Sequence, residues 1–114
     1  MKRFSSIKKN RDFQNIYDTG KSYANRQLVM YVSENFSEDT RIGISVSKKV
    51  GNSVVRHHMT RLLREVFRLN KQNIRRGLDI IVVVRVAAKT SDYKQLEGAF
   101  LHLCGLHNIK LESK

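Results

Sequence analysis

The sequence predicts an α/β (α+β) sandwich, a single small domain over residues 1–114 with helices packed on a mixed central sheet, in the order α-β-β-α-β-α. Three observations lead there. Residues 41–47 alternate Ile42, Ile44 and Val46 with Gly43, Ser45 and Ser47, the period of a half-buried strand. The run Ile80-Ile81-Val82-Val83-Val84 is β-rich and apolar throughout, as in a strand covered on both faces. Around them lie three segments with apolar residues at helical spacing. With 114 residues, 40% of them hydrophobic, the chain has enough apolar surface for one core without staples.

The elements follow in order. Residues 1–9 read as a basic arm, extended or partly ordered. Asn10 is suited to N-cap a helix over 10–19, with Asp12 well placed in the first turn and Gly20 as its stop. Phe13, Ile16 and Tyr17 form an i, i+3, i+4 cluster on that helix. A strand is expected over 27–33, a polar turn over 34–40 and a second strand over 41–47. A long helix over 53–75, ending near Gly77, leads to the third strand at 79–86. The last helix, 92–107, carries a core stripe of Tyr93, Leu96, Phe100 and Leu103. Cys104 falls within that apolar pattern and reads as core. As the chain's one cysteine it forms no internal disulfide, which fits a reducing cytoplasm. No internal repeat or linker interrupts the order, and proline is absent.

Charge narrows the partners. The formal net charge is +12, which points to a polyanion: nucleic acid first, an anionic membrane surface second. No run of 18 apolar residues would span a bilayer, and the basic N-terminus lacks the apolar stretch of a signal peptide. From Arg41 to Arg76 there are ten Lys/Arg and one acid, Glu65, so this stretch carries +9 of the +12. On a helix, Arg61, Arg64, Arg68, Lys71 and Arg75 fall within an arc of roughly 80°, with Arg56 about 60° beyond it. Val55, Met59, Leu62, Leu63, Val66, Phe67, Leu69 and Ile74 fill the opposite side. A solvated charged face normally mixes signs. A one-sign row of guanidinium groups suits a phosphate backbone.

The strands suggest a second surface. Gly43, Ser45 and Ser47 leave room above the sheet, and Tyr31 projects with Val29 and Ser33. Phe13 and Tyr17 with Tyr31 would then line a groove on which unpaired bases stack. The alternative is that these three rings are ordinary core.

These residues carry a family resemblance. Arg41-Ile-Gly-Ile-Ser-Val-Ser-Lys-Lys-Val-Gly-Asn-Ser-Val-Val-Arg56, followed by Arg61-Leu-Leu-Arg64-Glu65, resembles the basic motif of the bacterial ribonuclease P protein subunit. Asp12-Phe13-Gln14 with Tyr17, Ala24-Asn25-Arg26 and the Asp79-Ile-Ile-Val strand match as well, so the likeness runs along almost the whole chain. Two positions depart: His57 stands where an Asn is usual, and Thr60 where a Lys is usual. Arg56, Arg61 and Arg64 are retained.

The resemblance implies a fold with a left-handed crossover between the parallel strands around the basic helix, against the usual hand. It implies a subunit that binds a catalytic RNA and the single-stranded 5′ leader of precursor tRNA, with no small-molecule substrate. The RNA hydrolyses a phosphodiester bond with Mg2+, held mainly by the RNA, and frees the mature tRNA 5′ end. Carried over residue by residue, the leader site is Phe13, Tyr17, Tyr31, Ser45 and Ser47, with Asn25 and Arg26 at its edge. The RNA-facing group is Lys48, Lys49, Arg56, His57, Thr60, Arg61, Arg64 and Arg68. The loop Val50-Gly51-Asn52-Ser53 opens a helix N-terminus that also suits a phosphate.

An autonomous nuclease is a poorer fit. A metal-dependent one needs clustered carboxylates, and only Glu38 and Asp39 are adjacent, in a turn. Neighbouring His57 and His58 point about 100° apart on a helix, a poor geometry for an acid–base pair or a metal site. No catalytic residue and no metal ligand is expected in this chain. A ribosomal-protein-like RNA binder without a processing role is the other reading. A DNA-binding reading lacks a helix-turn-helix or zinc motif, and in a membrane-surface reading the helix's apolar face would already be taken by the sheet.

Overall fold

The structure, a computed structural model, describes residues 5–111. Its elements are β1 (Ser5–Ser6), α1 (Asn10–Thr19), β2 (Lys21–Ala24), β3 (Leu28–Glu34), β4 (Arg41–Val46), α2 (Ser53–Asn70), β5 (Leu78–Val84) and α3 (Tyr93–Leu106). The five strands form one mixed sheet in the order β1-β4-β5-β3-β2. β4 is parallel to both β1 and β5, whereas β3 is antiparallel to β5 and β2. The expected sandwich is present, with two short edge strands added to the predicted order.

The period-two pattern divides the sheet into two faces. Ile42, Ile44 and Val46 pair across to Ile80, Val82 and Val84 of β5, and β3 continues the rows with Val32, Met30 and Leu28. This face packs on Met59, Leu63, Val66 and Phe67 of α2 and on Leu96, Phe100 and Leu103 of α3, forming the main core. The other face carries Arg41, Gly43 and Ser45 beside Asp79, Ile81 and Val83. α1 packs there, around buried Ile7, Ile16 and Ile81. β5 is thus covered on both sides along most of its length, with Val83 half-buried, which is why it reads as one apolar run.

Several local expectations are corrected. Asn10 is the first residue of α1, not its cap: extended Lys9 holds the N-cap position and makes no side-chain capping bond. The arm is extended and partly ordered, as expected: β1 adds to the β4 edge, and the Ile7 N–H bonds to the Ile42 carbonyl at 2.8 Å. Residues 1–4 of that arm lie outside the described residues. β2 follows α1 directly, and its burial alternates too weakly to signal a strand. The long helix ends at Asn70 rather than 75, and a 3-10 turn follows over Lys71–Asn73. Asn70 Nδ2 donates to the Val66 carbonyl at 2.8 Å, and Ile74 then bridges to Lys110 as extended chain. Lys71 and Arg75 therefore leave the helical basic row. Arg75 instead sits 3.7 Å from Glu34.

Two termini behave as their residues direct. Asp92 caps α3 with a reciprocal box to Gln95, satisfying two otherwise orphaned backbone groups. Gly77 has φ +80° ahead of β5, and a Cβ there would lie 2.9 Å from the Ser37 carbonyl oxygen, so glycine is required.

Candidate nucleic-acid interface

α1 covers only part of its sheet face. The Phe13 ring lies on Gly43, where a Cβ would come within 2.7 Å of Cζ. The space predicted above Gly43 is therefore filled, by one of the residues expected to border it. The next row of the same face, Ser45, Val83, Val29 and Ala24, runs side by side across four strands. Ser45, Val83 and Val29 are half-buried and Ala24 is exposed. Phe13, Tyr17 and Tyr31 are also half-buried and pack on the small core beneath. The rings form a chain: Phe13 to Tyr17 at 6.3 Å between centroids, and Tyr17 to Tyr31 at 4.9 Å. All three rings are thus held partly by core packing, and each keeps some surface exposed. Ser47 lies beyond the end of β4, exposed, so it is at the mouth of the groove and not on its floor.

The edge of this groove is built by Asn25. Its Oδ1 accepts from the N–H groups of Gln27 and Leu28, while Nδ2 donates to the Ala99 carbonyl at 3.0 Å and meets His102 Nδ1 at 3.1 Å. Asn25 thus locks the β2–β3 turn onto α3, and both ends of its amide are already engaged. Arg26 beside it is exposed. Sequence reasoning overlooked Arg85. Its extended backbone continues the β5–β3 ladder through a bond to Gln27, which keeps it in step with Val83 on the groove face. Its Nη1 donates to the Asn25 carbonyl at 2.8 Å. The available signal was the alternation Ile81, Val83, Arg85.

α2 presents the basic row. Exposed His57, Arg61, Arg64 and Arg68 follow one another at helical spacing. Arg64 Nη1 donates to Ser6 Oγ at 3.2 Å, which sets this row along the β1 edge of the sheet. Arg68 is held by a two-pronged bond to Glu65, 2.9 and 2.6 Å. That contact raises the guanidinium and lowers the carboxylate from their usual ranges. Arg56 is half-buried, and its Nε is shielded from solvent with no hydrogen-bond partner among the described residues. Thr60 Oγ1 donates back to the Arg56 carbonyl at 2.9 Å, so it faces its own helix turn. Ser53, Val54, His57, His58 and Arg61 line a shallow depression of about 500 Å³. His57 and His58 border the same hollow despite their angular separation.

Lys48 and Lys49 are exposed in the turn after β4, between the groove mouth and α2. Asn52 Oδ1 accepts from the Val55 N–H at 3.0 Å, so the N-terminus of α2 is partly capped by its own chain. Gly51 meets a packing need, since a Cβ there would strike Val55 Cγ1 at 2.7 Å.

The remaining reactive groups are structural. Burial pushes the Cys104 thiol up to about 12, which keeps it protonated and inert. Burial also lowers His107, whose Nε2 lies 2.9 Å from the Met30 carbonyl. Among the described residues, no three His, Cys, Asp or Glu side chains gather as a metal site needs, so this donor set offers no ready cage for Mg2+. No helix among them is long and apolar enough to cross a membrane.

Comparison with known proteins decides the family. The ribonuclease P family model matches residues 1–107. The chain belongs to the ribonuclease P protein family. It is 51% identical over 104 residues to the ribonuclease P protein component of Lachnoclostridium phytofermentans, covering 91% of this chain and 90% of that protein. The component from Alkaliphilus metalliredigens is 47% identical, covering 99% and 100%. Among solved structures, the Staphylococcus aureus RNase P protein superposes with a TM-score of 0.86 at 42% identity, over 94% of this chain and 98% of that one. The Thermotoga maritima protein gives 0.82 at 32% identity, over 88% and 94%. As a ribonuclease P protein component, the chain is the protein part of a tRNA-processing ribonucleoprotein, and its partner is the ribonuclease P RNA. The reading as a general, ribosomal-type RNA binder gains nothing from these likenesses.

Proposed function

We propose that this ribonuclease P protein holds the single-stranded 5′ leader of precursor tRNA in the groove beside α1, and docks on the catalytic RNA through α2. One observation carries the reading: α1 leaves uncovered a strip of small and apolar residues bordered by three half-exposed aromatic rings. A strip of that kind accepts unpaired bases by stacking, without strict sequence demand. Arg26 and Arg85 at one end, with Lys48 and Lys49 at the mouth, supply positive charge for the leader phosphates.

In this reading the protein contributes binding and orientation, and the endonucleolytic step belongs to the RNA. Mg2+ serves the holoenzyme on RNA ligands, and the assembly works in the cytoplasm. The net charge of +12 lowers the repulsion between catalytic RNA and substrate, which reduces the magnesium needed to bring them together. The test is reconstitution at low magnesium: a bacterial ribonuclease P RNA and labelled precursor tRNA, with and without this protein. Cleavage at the mature 5′ end that depends on the protein supports the reading. RNA binding with no rescue, including with the RNA from the protein's own source, overturns it. Robust cleavage by RNA-free protein would move the chemistry into the chain.

A further inference from the structure

We propose that Asp12 is a positioning residue for the leader groove, acting through Arg41 to set where α1 lies on the sheet. The inference rests on the groove being the leader site.

Arg41 is fixed from below. Its Nε and Nη2 donate to the two oxygens of Asp79 at 2.8 and 2.7 Å. Asp79 is itself buried and accepts a further bond from Asn35 at 2.8 Å. A guanidinium held at two nitrogens has little freedom left. Its remaining nitrogen, Nη1, lies 3.7 Å from Asp12 Oδ2 on α1. Asp12 precedes Phe13, and Arg41 precedes Gly43 by two positions on the same sheet face. Adjacent residues of α1 are therefore registered on successive same-face positions of β4: carboxylate on guanidinium, ring on glycine.

α1 has ten residues, too few to be a stable helix by itself, so its tilt comes from what it touches. Ile16 gives it an apolar anchor that permits rotation and sliding. The Asp12–Arg41 contact adds a directional one at the end that carries Phe13. Both partners are about one-third exposed, 32% and 33%, so the pair adds little to stability. Its effect is on the place of the rings.

The sign of the expected effect separates this role from simple electrostatics. Removing an acid from a protein that binds a polyanion should tighten binding. Loss of a positioning contact should weaken it, and only for ligands that enter the groove. The experiment uses holoenzyme reconstituted with Asp12→Asn, Asp12→Glu or Phe13→Ala protein, and compares dissociation constants for precursor tRNA and for mature tRNA lacking the leader. Asp12→Asn is expected to weaken precursor binding about two- to fivefold, the span of a partly exposed ion pair. Mature tRNA binding and the melting temperature should stay unchanged, and Asp12→Glu should recover most of the loss. Tighter or unchanged precursor binding by Asp12→Asn, while Phe13→Ala still loses leader-dependent affinity, overturns the positioning role and leaves the groove intact. Equal loss for both ligands also overturns it, as a general structural effect. Should Phe13→Ala lose no leader-dependent affinity, the groove reading falls, and the positioning role with it.

Discussion

The Tyr17 and Tyr31 rings meet edge to face, with centroids 4.9 Å apart and planes at 77°. One ring belongs to α1 and the other to β3, so the contact ties helix to sheet where the groove opens. Edge-on geometry suits the ring quadrupoles, and such pairs add about 0.5–1.5 kcal/mol beyond their buried area. It also leaves ring surface at the groove.

Tyr31→Ala is expected to weaken holoenzyme binding of precursor tRNA by about 1–3 kcal/mol, the value of one base stack, with little change for mature tRNA. Tyr31→Phe, which keeps the ring, should retain most of the affinity. Paired binding titrations check this. Equal losses for both ligands would make Tyr31 a core residue only.

The double variant Arg61→Ala with Arg64→Ala should weaken binding to the catalytic RNA. The slope of log K against log salt should flatten by up to about two, roughly one for each phosphate that is no longer neutralised. Titrations over a range of KCl concentrations read the slope directly. An unchanged slope would place the RNA interface away from this part of α2. Because Arg64 also bonds to Ser6, Arg61→Ala alone separates the phosphate interaction from that tie.

The Arg41–Asp79 pair predicts an acid-sensitive fold. Burial raises the Asp79 carboxyl, but bonds from Arg41 and Asn35, with the charge of Arg41, outweigh it and hold the group below its ordinary 3.8. A carboxylate lowered in the folded state adds stability that is full above the ordinary value and is lost as pH falls through the folded one. Asp79→Asn leaves Arg41 without its main partner and should cost about 2–4 kcal/mol at neutral pH, a buried-pair loss reduced because Arg41 is part-exposed. Urea unfolding from pH 7 down to about pH 2 should show the difference from the parent constant above about pH 4 and shrinking below it. A difference that stays constant to the lowest pH would remove Asp79 titration as its source.

Gly43→Ala places a methyl group against the end of the Phe13 ring. The ring must lift, at a cost of about 1–3 kcal/mol for overpacking. Phe13→Leu in the same chain should recover part of that stability while leader affinity stays low. Thermal melts and leader-dependent binding of the single and double variants test the coupling. Additive effects would mean that the ring does not rest on Gly43.

Much of the fold was legible because its signals are local. The alternation in 41–47, the apolar run at 80–84 and the one-sided charge of 56–68 each follow from a repeat that residues a few positions apart impose on one another. The open face of the 41–47 strand suggested the grouping of Phe13, Tyr17 and Tyr31, and the family resemblance gave that grouping a ligand. Less legible were β1 and β2, which exist because a neighbouring strand offers its edge to short polar segments. The end of α2 was missed because Asn70 and the bridge from Ile74 to Lys110 override a basic pattern that could have run on.

The sequence by itself determined which faces are apolar, that α2 is strongly basic with Glu65 as its one acid, and to which family the chain belongs. Only the tertiary structure decided which charges and polar groups are already engaged. Arg41 looked like part of the basic stretch but is bound to Asp79, 38 residues away. Asn25 looked like a groove residue free for RNA but holds a turn against α3, 74 residues away. Arg85 lay within the expected third strand, but only the ladder bond to Gln27 shows that it stands on the groove face. A side chain's periodicity is set by its neighbours in the chain, whereas its hydrogen-bond partners are set by strand register and helix packing, which bring together residues that no local pattern links.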